Sequence, residues 1–399
     1  MIKHIIKFLL PPFILYPFIV LYRYAKYLKH RFIDRKTFLR FSLKAKPESG
    51  YYPNHIRGYV KCQTALAKNL KNPRCVVIFF NVIQEWISGG MMSIDRLAVH
   101  SQEYAAGFTV IQSGLPIPLA CIKNPYYDWG VPVIDFKYII KYVHPKTLRL
   151  NIPECFVQCF LNDLTAGIIT YLRAIPNLSI NILNQNDRIM PNQHSIEELR
   201  TLANGRLTIT AAHRRYCTKE KEIMYGAPVY MLTPFLPNFY RLNFNQKENI
   251  IIISDDAHHM KERIIKQINN NLPCFKTVII QNMHFEEYKK LVSKAKFAIS
   301  FGEGFDGYFL EPYLSNSIGI AVRNNVFFPK DFKHVPTVYE SWEQLHCNII
   351  TDIKKWAYNE KLYCEIQSGV EAELSRFCNN EQSKKDLAAY YERLLSTGG

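Results

Sequence analysis

The sequence lacks the residue patterns of several common site classes. Its ten cysteines form no Cys-x-x-Cys pair and no cysteine and histidine cluster of zinc spacing, and no Asp-x-Asp triplet occurs in the 399 residues. Cysteines scattered in this way indicate a reduced cytosolic chain rather than a disulfide framework. We therefore expect no structural metal, no metal at a reaction site and no cofactor.

A long uninterrupted apolar run is also missing. The stretch from Phe8 to Tyr22 is apolar, but Pro11, Pro12 and Pro17 interrupt it. A membrane-spanning helix needs about 20 apolar residues, and a signal peptide would end in small residues, whereas aromatic residues and cations follow here. Neither kind of segment fits this stretch.

Acidic residues are few, because 34 Asp and Glu stand against 50 Lys and Arg and leave a net charge of +16. This balance favours anionic partners. Cations and aromatic residues alternate over 23–46, as in a helix that lies at an anionic lipid surface. We interpret 1–50 as a membrane-associating helical segment of a cytoplasmic protein, peripheral on the inner face of the cell membrane. A buried helix with a solvated basic face is the alternative, and a nucleic-acid partner is not expected, since the apolar block would have no role there.

The rest of the chain has the composition of a globular protein, with 48% hydrophobic and 21% charged residues and no internal repeat. Its length suits two domains. Short apolar segments that alternate with amphipathic helical patterns predict parallel sheets covered on both faces; nine of them are CVVIFFNV, FTVIQS, SINILNQN, LTITAAH, PVYMLTP, NIIIISDD, KTVIIQNM, FAISFGEG and IGIAVRN.

A linker is predicted near residue 240, where Pro234 and Pro237 precede a polar stretch. The fold class is therefore α/β, with doubly wound domains at 51–240 and 241–399 and a final helix that could pack back on the first domain. Ligands of such sheets bind beyond the carboxyl ends of the strands.

The stretch EGFDGYFLE, from Glu303 to Glu311, joins a predicted strand to a predicted helix. Its glycines, with Gly302 before them, allow a ligand to approach the backbone closely. The amides near Asp306, Gly307 and Tyr308 are expected to point into the cleft, where a helix start favours phosphate.

The two glutamates, with seven residues between them in the context FGEGFDGYFLEPYLSNSIGIAV, resemble the E-x7-E element of retaining GT-B glycosyltransferases of the family-4 type, such as bacterial surface-polysaccharide enzymes. The resemblance implies two Rossmann-like domains facing across a cleft, the acceptor domain first and the nucleotide-sugar donor domain second. It implies that Glu303 is catalytic beside the donor sugar, that Glu311 binds the ribose hydroxyls, and that the diphosphate meets the backbone of Gly304, Phe305, Asp306, Gly307 and Tyr308. The alternative is a glycine-rich turn in which Glu303 caps the helix and Glu311 is solvated.

Two elements of the first half support this reading. Gly89 and Gly90 follow the first strand and resemble the loop that borders the sugar and the acceptor, although a plain strand-to-helix turn would also use glycine. His213 follows a later strand, with Arg214 and Arg215 beside it. An imidazole and guanidinium groups there could contact a phosphate, so His213 is a catalytic candidate, with a purely structural histidine as the alternative.

Polar residues also follow two strands of this half. Glu154 follows one of them, and Asn184, Gln185 and Asn186 follow another. They are expected to face the cleft, and turn formation explains them nearly as well.

The second half departs from the family pattern. Where many relatives carry an Arg and a Lys that neutralise the leaving diphosphate, this chain reads IIIISDDAHHMKERI. Lys261 as a catalytic cation and Arg263 as a donor-binding one are the candidate substitutes, with His258 or His259. Farther along, a strand and loop that match the family place the backbone of Asn282 and Met283 beside the nucleotide base.

These features predict a hexosyltransferase-like enzyme that moves a sugar from a nucleotide-sugar co-substrate to a lipid-linked or growing surface glycan, with retained anomeric configuration. Orientation and stabilisation of the departing phosphate would supply most of the catalysis. Within enzymes, the alternatives are a sugar-nucleotide epimerase and a transferase that uses a CMP-activated sugar. From another class, the alternative is a non-catalytic protein that binds membranes or nucleic acid.

Overall fold

The computed structural model describes residues 56–81, 87–114, 124 and 126–396. The predicted membrane-associating segment at 1–50 lies outside these residues. Among the described helices, none is by itself long and apolar enough to cross a membrane, and one pair, Glu154–Asn162 with Ala166–Arg173, meets that test of length and composition only jointly, across a 113° bend.

The first domain is built on a six-stranded parallel sheet in the order β2-β1-β3-β4-β5-β6. Its strands are almost wholly buried because helices cover both faces, which explains the continuous Val and Ile runs. The strands are β1 (Cys75–Phe80), β2 (Thr109–Ser113), β3 (Thr147–Pro153), β4 (Asn177–Asn184), β5 (Leu207–Ala211) and β6 (Val229–Met231). The helices are α1 (Ile56–Asn69), α2 (Gly89–Tyr104), α3 (Phe136–Tyr142), α4 (Val157–Asn162), α5 (Ala166–Arg173), α6 (Gln193–Leu202) and α7 (Lys219–Tyr225).

The second domain contains a five-stranded parallel sheet in the order β11-β10-β9-β7-β8. Its strands are β7 (Glu248–Ile253), β8 (Lys276–Ile279), β9 (Ala295–Ile299), β10 (Ile318–Val322) and β11 (Val338–Tyr339). Its helices are α8 (Lys261–Asn271), α9 (Phe285–Lys294), α10 (Gly307–Leu310), α11 (Trp342–Ala357) and α12 (Glu360–Ser375), and α13 (Asn380–Ser396) ends the described chain. The prediction of parallel sheets is confirmed, and all nine quoted segments contain a strand.

Helix α13 crosses back to the first domain. Four of its apolar side chains are buried in one cluster with residues of β1 and α2, including Val77 and Phe79. The hydroxyl of Tyr390 donates to Asn151 Oδ1 at 2.8 Å and accepts from Arg149 Nε at 3.2 Å. A polar network that also includes Asn181, whose side chain donates to Asn151 Oδ1 at 3.1 Å, therefore fixes the helix on the sheet.

Candidate functional site

The loop after β9 is held by the side chain of Asp306. Its carboxylate accepts from the amides of Gly304 and Phe309, both at 3.2 Å, and from the hydroxyl of Ser300 at 2.5 Å. Asp306 is thus the N-cap of α10. The amides of Gly307 and Tyr308 at the start of that helix have no hydrogen-bond partner among the described residues.

Gly304 lets this loop lie close to its neighbours. Its φ of +81° is in the left-handed region, and a Cβ built on it would lie 2.6 Å from the carbonyl oxygen of Val322 and 3.0 Å from the Phe328 ring. The loop therefore packs on the segment that follows β10.

The predicted helix after the loop is short. Helix α10 has four residues and continues as a 3-10 helix from Glu311 to Ser315. Pro312 has no N–H to donate within an α-helix, and Asn316, with a φ of 60°, ends the segment. The four α-helical and five 3-10 residues still present their free amides at one end, toward the loop.

The two glutamates lie on different sides of this helix start. Glu303 is exposed. Partial burial and the charges of Asp306 and Asp256 raise its pKa, while Arg188 and Arg215 of the first domain oppose that rise.

Glu311 is buried, with 8% of its surface exposed. A Cβ on Gly307 would lie 3.3 Å from its Cδ, so the carboxylate lies against the backbone at the helix start. Burial raises its pKa to about 7, opposed by the charge of Arg96 and by a hydrogen bond from Tyr288. The alternative of a capping Glu303 with a solvated Glu311 is therefore wrong, since Asp306 caps the helix and Glu311 is buried.

His213 stands beyond β5, at the start of a 3-10 turn. Its imidazole packs edge-on against Tyr216, with ring centroids 5.5 Å apart, and makes no hydrogen bond within the described chain. Burial, with the positive charge of Arg215, lowers its pKa to about 4, so the ring is neutral at physiological pH. The geometry therefore does not show a His213 side chain held by structural hydrogen bonds.

Gly89 and Gly90 begin α2 at the carboxyl end of β1, after the N-cap Ser88. The Gln185 side chain donates to the Gly90 carbonyl at 3.5 Å, and a Cβ on Gly90 would lie 2.9 Å from Gln185 Oε1. A Cβ on Gly89 would meet nothing within 4 Å. Gly90 thus contacts the residue that follows β4, and the space beside Gly89 is open.

Glu154, which follows β3, is buried in this same region. Its Oε1 accepts from the amide of Asn186 at 2.9 Å, and its Oε2 is buried without a hydrogen-bond partner. Burial raises its pKa to about 7. The predicted polar residues thus meet at the carboxyl edge of the first sheet.

Of the predicted cations in the second domain, only Lys261 lies beside the loop. Its ammonium donates to the Asp256 carbonyl at 3.1 Å, and the Asp256 carboxylate lies over Gly302, where a Cβ would be 2.8 Å from Oδ2. Arg263 is exposed on α8, and no hydrogen bond or ion pair joins its guanidinium to the described residues. The structure therefore does not bring Arg263 to the site, since it lies two residues from Lys261 on a different face of the helix.

The two histidines that precede α8, His258 and His259, pack against each other, and His258 also packs against Trp342. His258 Nδ1 accepts from the amide of Met260 at 3.2 Å, and its ring lies 4.0 Å from that of Trp342 and 4.4 Å from that of His259. His258 is thus held by ring packing.

Asn282 and Met283 lie between β8 and α9, where the second domain touches the first. Asn282 has a φ of 49°, and its Oδ1 accepts from the hydroxyl of Tyr126 at 3.1 Å. The Tyr126 carbonyl accepts from the amide of Phe285 at 2.8 Å, and Met283 packs in the adjoining apolar cluster. This loop is therefore an interdomain contact as well as a predicted border of the base.

Sequence reasoning missed Arg96 and Arg188, which reach the second domain from the first. Arg96 donates to the Phe235 carbonyl at 2.8 Å, and it lines an interdomain cavity of about 260 Å³ together with Tyr127, Phe285 and Lys289. The Arg188 guanidinium lies 5.4 Å from the centroid of the Phe327 ring. No sequence motif marks either arginine. The one local signal was the polar end of β4, which precedes Arg188 and was expected to face the cleft.

Within the part of the chain that the structure describes, no group of three or more His, Cys, Asp and Glu side chains could hold a metal ion. The nine cysteines of that part are all free.

Comparison with known proteins gives likeness in structure without likeness in sequence. No family model matches the sequence, and no curated protein matches it either. A solved α-glucosyltransferase, in complex with UDP and a 13-mer DNA containing an HMU base, has a TM-score of 0.52 and 12% identity over 79% of this chain and 99% of its own. The glycosyltransferase of kitacinnamycin has a TM-score of 0.44 and 10% identity over 82% and 100% of the two chains.

A third similar structure is the UDP-GlcNAc 2-epimerase from Neisseria meningitidis bound to UDP-GlcNAc, with a TM-score of 0.37 and 10% identity over 81% of this chain and 98% of its own. At these identities, the likeness to the α-glucosyltransferase establishes the fold alone. The predicted GT-B arrangement of two Rossmann-like domains is confirmed at that level.

Proposed function

We propose that this protein is a glycosyltransferase that moves a sugar from a nucleotide-sugar donor to a glycan acceptor. The observation that carries the proposal is the loop from Gly302 to Tyr308 at the carboxyl edge of the second sheet, which ends in two amides that have no hydrogen-bond partner among the described residues and that lie in sequence between Glu303 and Glu311. Free amides at a helix start bind phosphate, and the two carboxylates accept hydroxyl groups. The α-glucosyltransferase of the same fold is in complex with UDP, a nucleoside diphosphate.

In this proposal the amides of Gly307 and Tyr308 bind the diphosphate, and Glu311 accepts hydrogen bonds from the ribose. Glu303, on the exposed side, contacts the donor sugar. The neutral imidazole of His213 is suited to exchange hydrogen bonds with a sugar hydroxyl rather than to supply a charge. Lys261 supports the loop through Asp256.

The finer assignments are part of the proposal. They are transfer with retained anomeric configuration, as in the family-4 type, without a metal, to a lipid-linked or growing surface glycan at the inner face of the cell membrane. The basic aromatic sequence at 1–50 supports the membrane site, and deleting residues 1–46 is expected to release the protein from anionic vesicles. Persistent binding would place the attachment elsewhere.

The sequence leads us to expect no nucleic-acid partner, and the fold does not support that expectation. The α-glucosyltransferase with a TM-score of 0.52 is in complex with DNA. DNA therefore belongs in the acceptor screen beside glycans and lipid-linked sugars.

The test begins with a panel of sugar nucleotides and their nucleoside diphosphates, scored by protection against thermal unfolding, since a ligand that binds only the native state raises its stability. The best donor is then incubated with each acceptor class, with and without EDTA, and the products are analysed by mass spectrometry and by NMR of the anomeric proton. We expect a glycosylated product, release of the nucleotide, unchanged activity in EDTA, and loss of activity in Glu303→Gln with unchanged folding. An isomerised sugar nucleotide without nucleotide release would instead identify an epimerase, and unchanged activity of Glu303→Gln would refute the site.

A further inference from the structure

The loop from Gly302 to Tyr308 is surrounded by negative charge within the second domain. Burial raises the pKa of Asp306, and the charge of Asp256 raises it further. The same Asp256 and Asp306 also raise the pKa of Glu303. Two cations of the second domain lie beside this loop, and both are engaged: the Lys261 ammonium is bonded to the Asp256 carbonyl, and Arg323, whose guanidinium lies 5.4 Å from the Phe328 ring centroid, is paired with Glu340. A diphosphate at the free amides would add two or more negative charges to this group and would require further cations.

Two arginines of the first domain lie where those cations are needed. The loop touches the Phe328 ring through Gly304, at 3.0 Å from a built Cβ, and the two residues before Phe328 are held from across the cleft. Arg215 Nη1 donates to the Val326 carbonyl, and the Arg188 guanidinium lies 5.4 Å from the Phe327 ring centroid. Both arginines therefore reach the wall on which the loop packs.

Neither guanidinium group is bonded to a carboxylate of the described residues, although the charges of both oppose the rise in the pKa of Glu303. Within the described chain, neither Arg188 nor Arg215 forms an ion pair. Arg215 is oriented by its bonds to the Val326 carbonyl and, at 2.7 Å, to the hydroxyl of Tyr216, while its Nε is buried without a hydrogen-bond partner. A guanidinium without a bonded carboxylate stabilises a nearby anionic ligand by its charge.

We propose that Arg188 and Arg215 of the first domain supply the positive charge that stabilises the leaving diphosphate, so that the leaving group is neutralised only while the two domains are closed. This inference rests on the proposed glycosyl transfer. In that step the bond from the anomeric carbon to the diphosphate oxygen breaks, its electron pair goes to that oxygen, the acceptor oxygen forms the new bond, and the acceptor proton passes to the diphosphate. The first domain thus provides charge that the two cations after β7 do not, since Lys261 is bonded to the Asp256 carbonyl and Arg263 lies away from the loop.

The experiment measures the affinity of the full chain for UDP, GDP and ADP by calorimetry, together with the matching nucleosides. Arg188→Met and Arg215→Met are expected to weaken binding of the preferred diphosphate at least tenfold and to change nucleoside binding less than twofold. Arg188→Lys and Arg215→Lys, which keep the charge, should recover part of the loss. The matched control is Arg173→Met, because Arg173 is exposed in the last turn of α5 and makes no ion pair within the described chain.

The outcomes separate this inference from the proposed function. If the wild-type chain binds no nucleoside diphosphate and transfers no sugar, the proposed function itself fails. If it binds one and both methionine variants bind it within twofold of the wild type, the inference is refuted while the function stands. An equal loss of diphosphate and nucleoside binding would show that the arginines only hold the domains together, and this too would refute it. If Arg215→Met does not fold, the Arg188 variants alone test the inference, because Arg188 is exposed.

Discussion

Replacing Glu311 with glutamine tests whether the buried carboxylate of the site is held at a cost to stability. Burial raises the pKa of Glu311 from 4.5 to about 7, even though Arg96 and Tyr288 favour the ionised form. Because the folded pKa lies above the unfolded one, folding takes up a proton between pH 4.5 and about 7, and stability falls as the pH rises through that window. Glutamine keeps the shape and stays neutral.

The magnitude follows from the two pKa values. A carboxyl whose pKa rises from 4.5 to about 7 on folding destabilises the native state by about 3 kcal/mol once it is ionised. Glu311→Gln should therefore stabilise the protein by about 3 kcal/mol at pH 8 and by less than about 1 kcal/mol at pH 5. For a domain of this size, the change at pH 8 corresponds to a rise in Tm of about 6–12 °C.

The assay is thermal unfolding of the full chain, followed by circular dichroism at pH 5 and pH 8, with nucleotide binding measured in parallel. Stability should rise and nucleotide affinity should fall in the same variant, since a residue kept for function is often costly to the fold. Glu262→Gln, at an exposed position of α8, is the control and should shift Tm by less than about 2 °C at either pH. Equal stabilisation at both pH values, or a lower Tm at pH 8, would refute the reasoning.

Three further perturbations address the packing around the site. Lys247→Met removes a buried ammonium that donates to the Ser293 and Ser315 carbonyls at 2.8 and 2.9 Å, and should destabilise the second domain by about 2–4 kcal/mol in urea unfolding. Gly304→Ala places a Cβ 2.6 Å from a carbonyl oxygen at a positive φ and should weaken nucleoside diphosphate binding at least tenfold in calorimetry, whereas Gly369→Ala, in open space on α12, should leave it unchanged. Tyr390→Phe removes the acceptor of the buried Arg149 Nε–H and should lower the stability of α13 by about 1–3 kcal/mol, seen as faster hydrogen exchange there.

The strands and the motif were predictable because their signals are local. A strand buried on both faces must carry apolar residues at successive positions, as CVVIFF does in β1. The turn after β9 needs glycine where φ is positive and close contact occurs, and Gly304 is such a position. Strand β11 has two residues and was missed, since two residues show no periodicity.

Some errors at the site also had local signals. Asp306 precedes a helix and is among the residue types that cap one, and its carboxylate also takes the Gly304 amide, which the prediction had assigned to the diphosphate. Pro312 is the local signal for the change from α to 3-10 geometry. The exposed position of Arg263 follows from its distance of two residues from Lys261 on α8.

The alternation of apolar runs and amphipathic helices predicted a pair of parallel sheets, and two glutamates around a glycine-rich turn predicted one edge of the proposed binding cleft. Each of those features depends on residues within a few positions of one another. The neighbours across that cleft came only from tertiary packing. Arg215 reaches Val326, 111 positions away, and Arg96 faces Glu311 because the two domains close on each other. No periodicity or spacing along the chain encodes such a contact; it arises from the angle between two separately folded sheets.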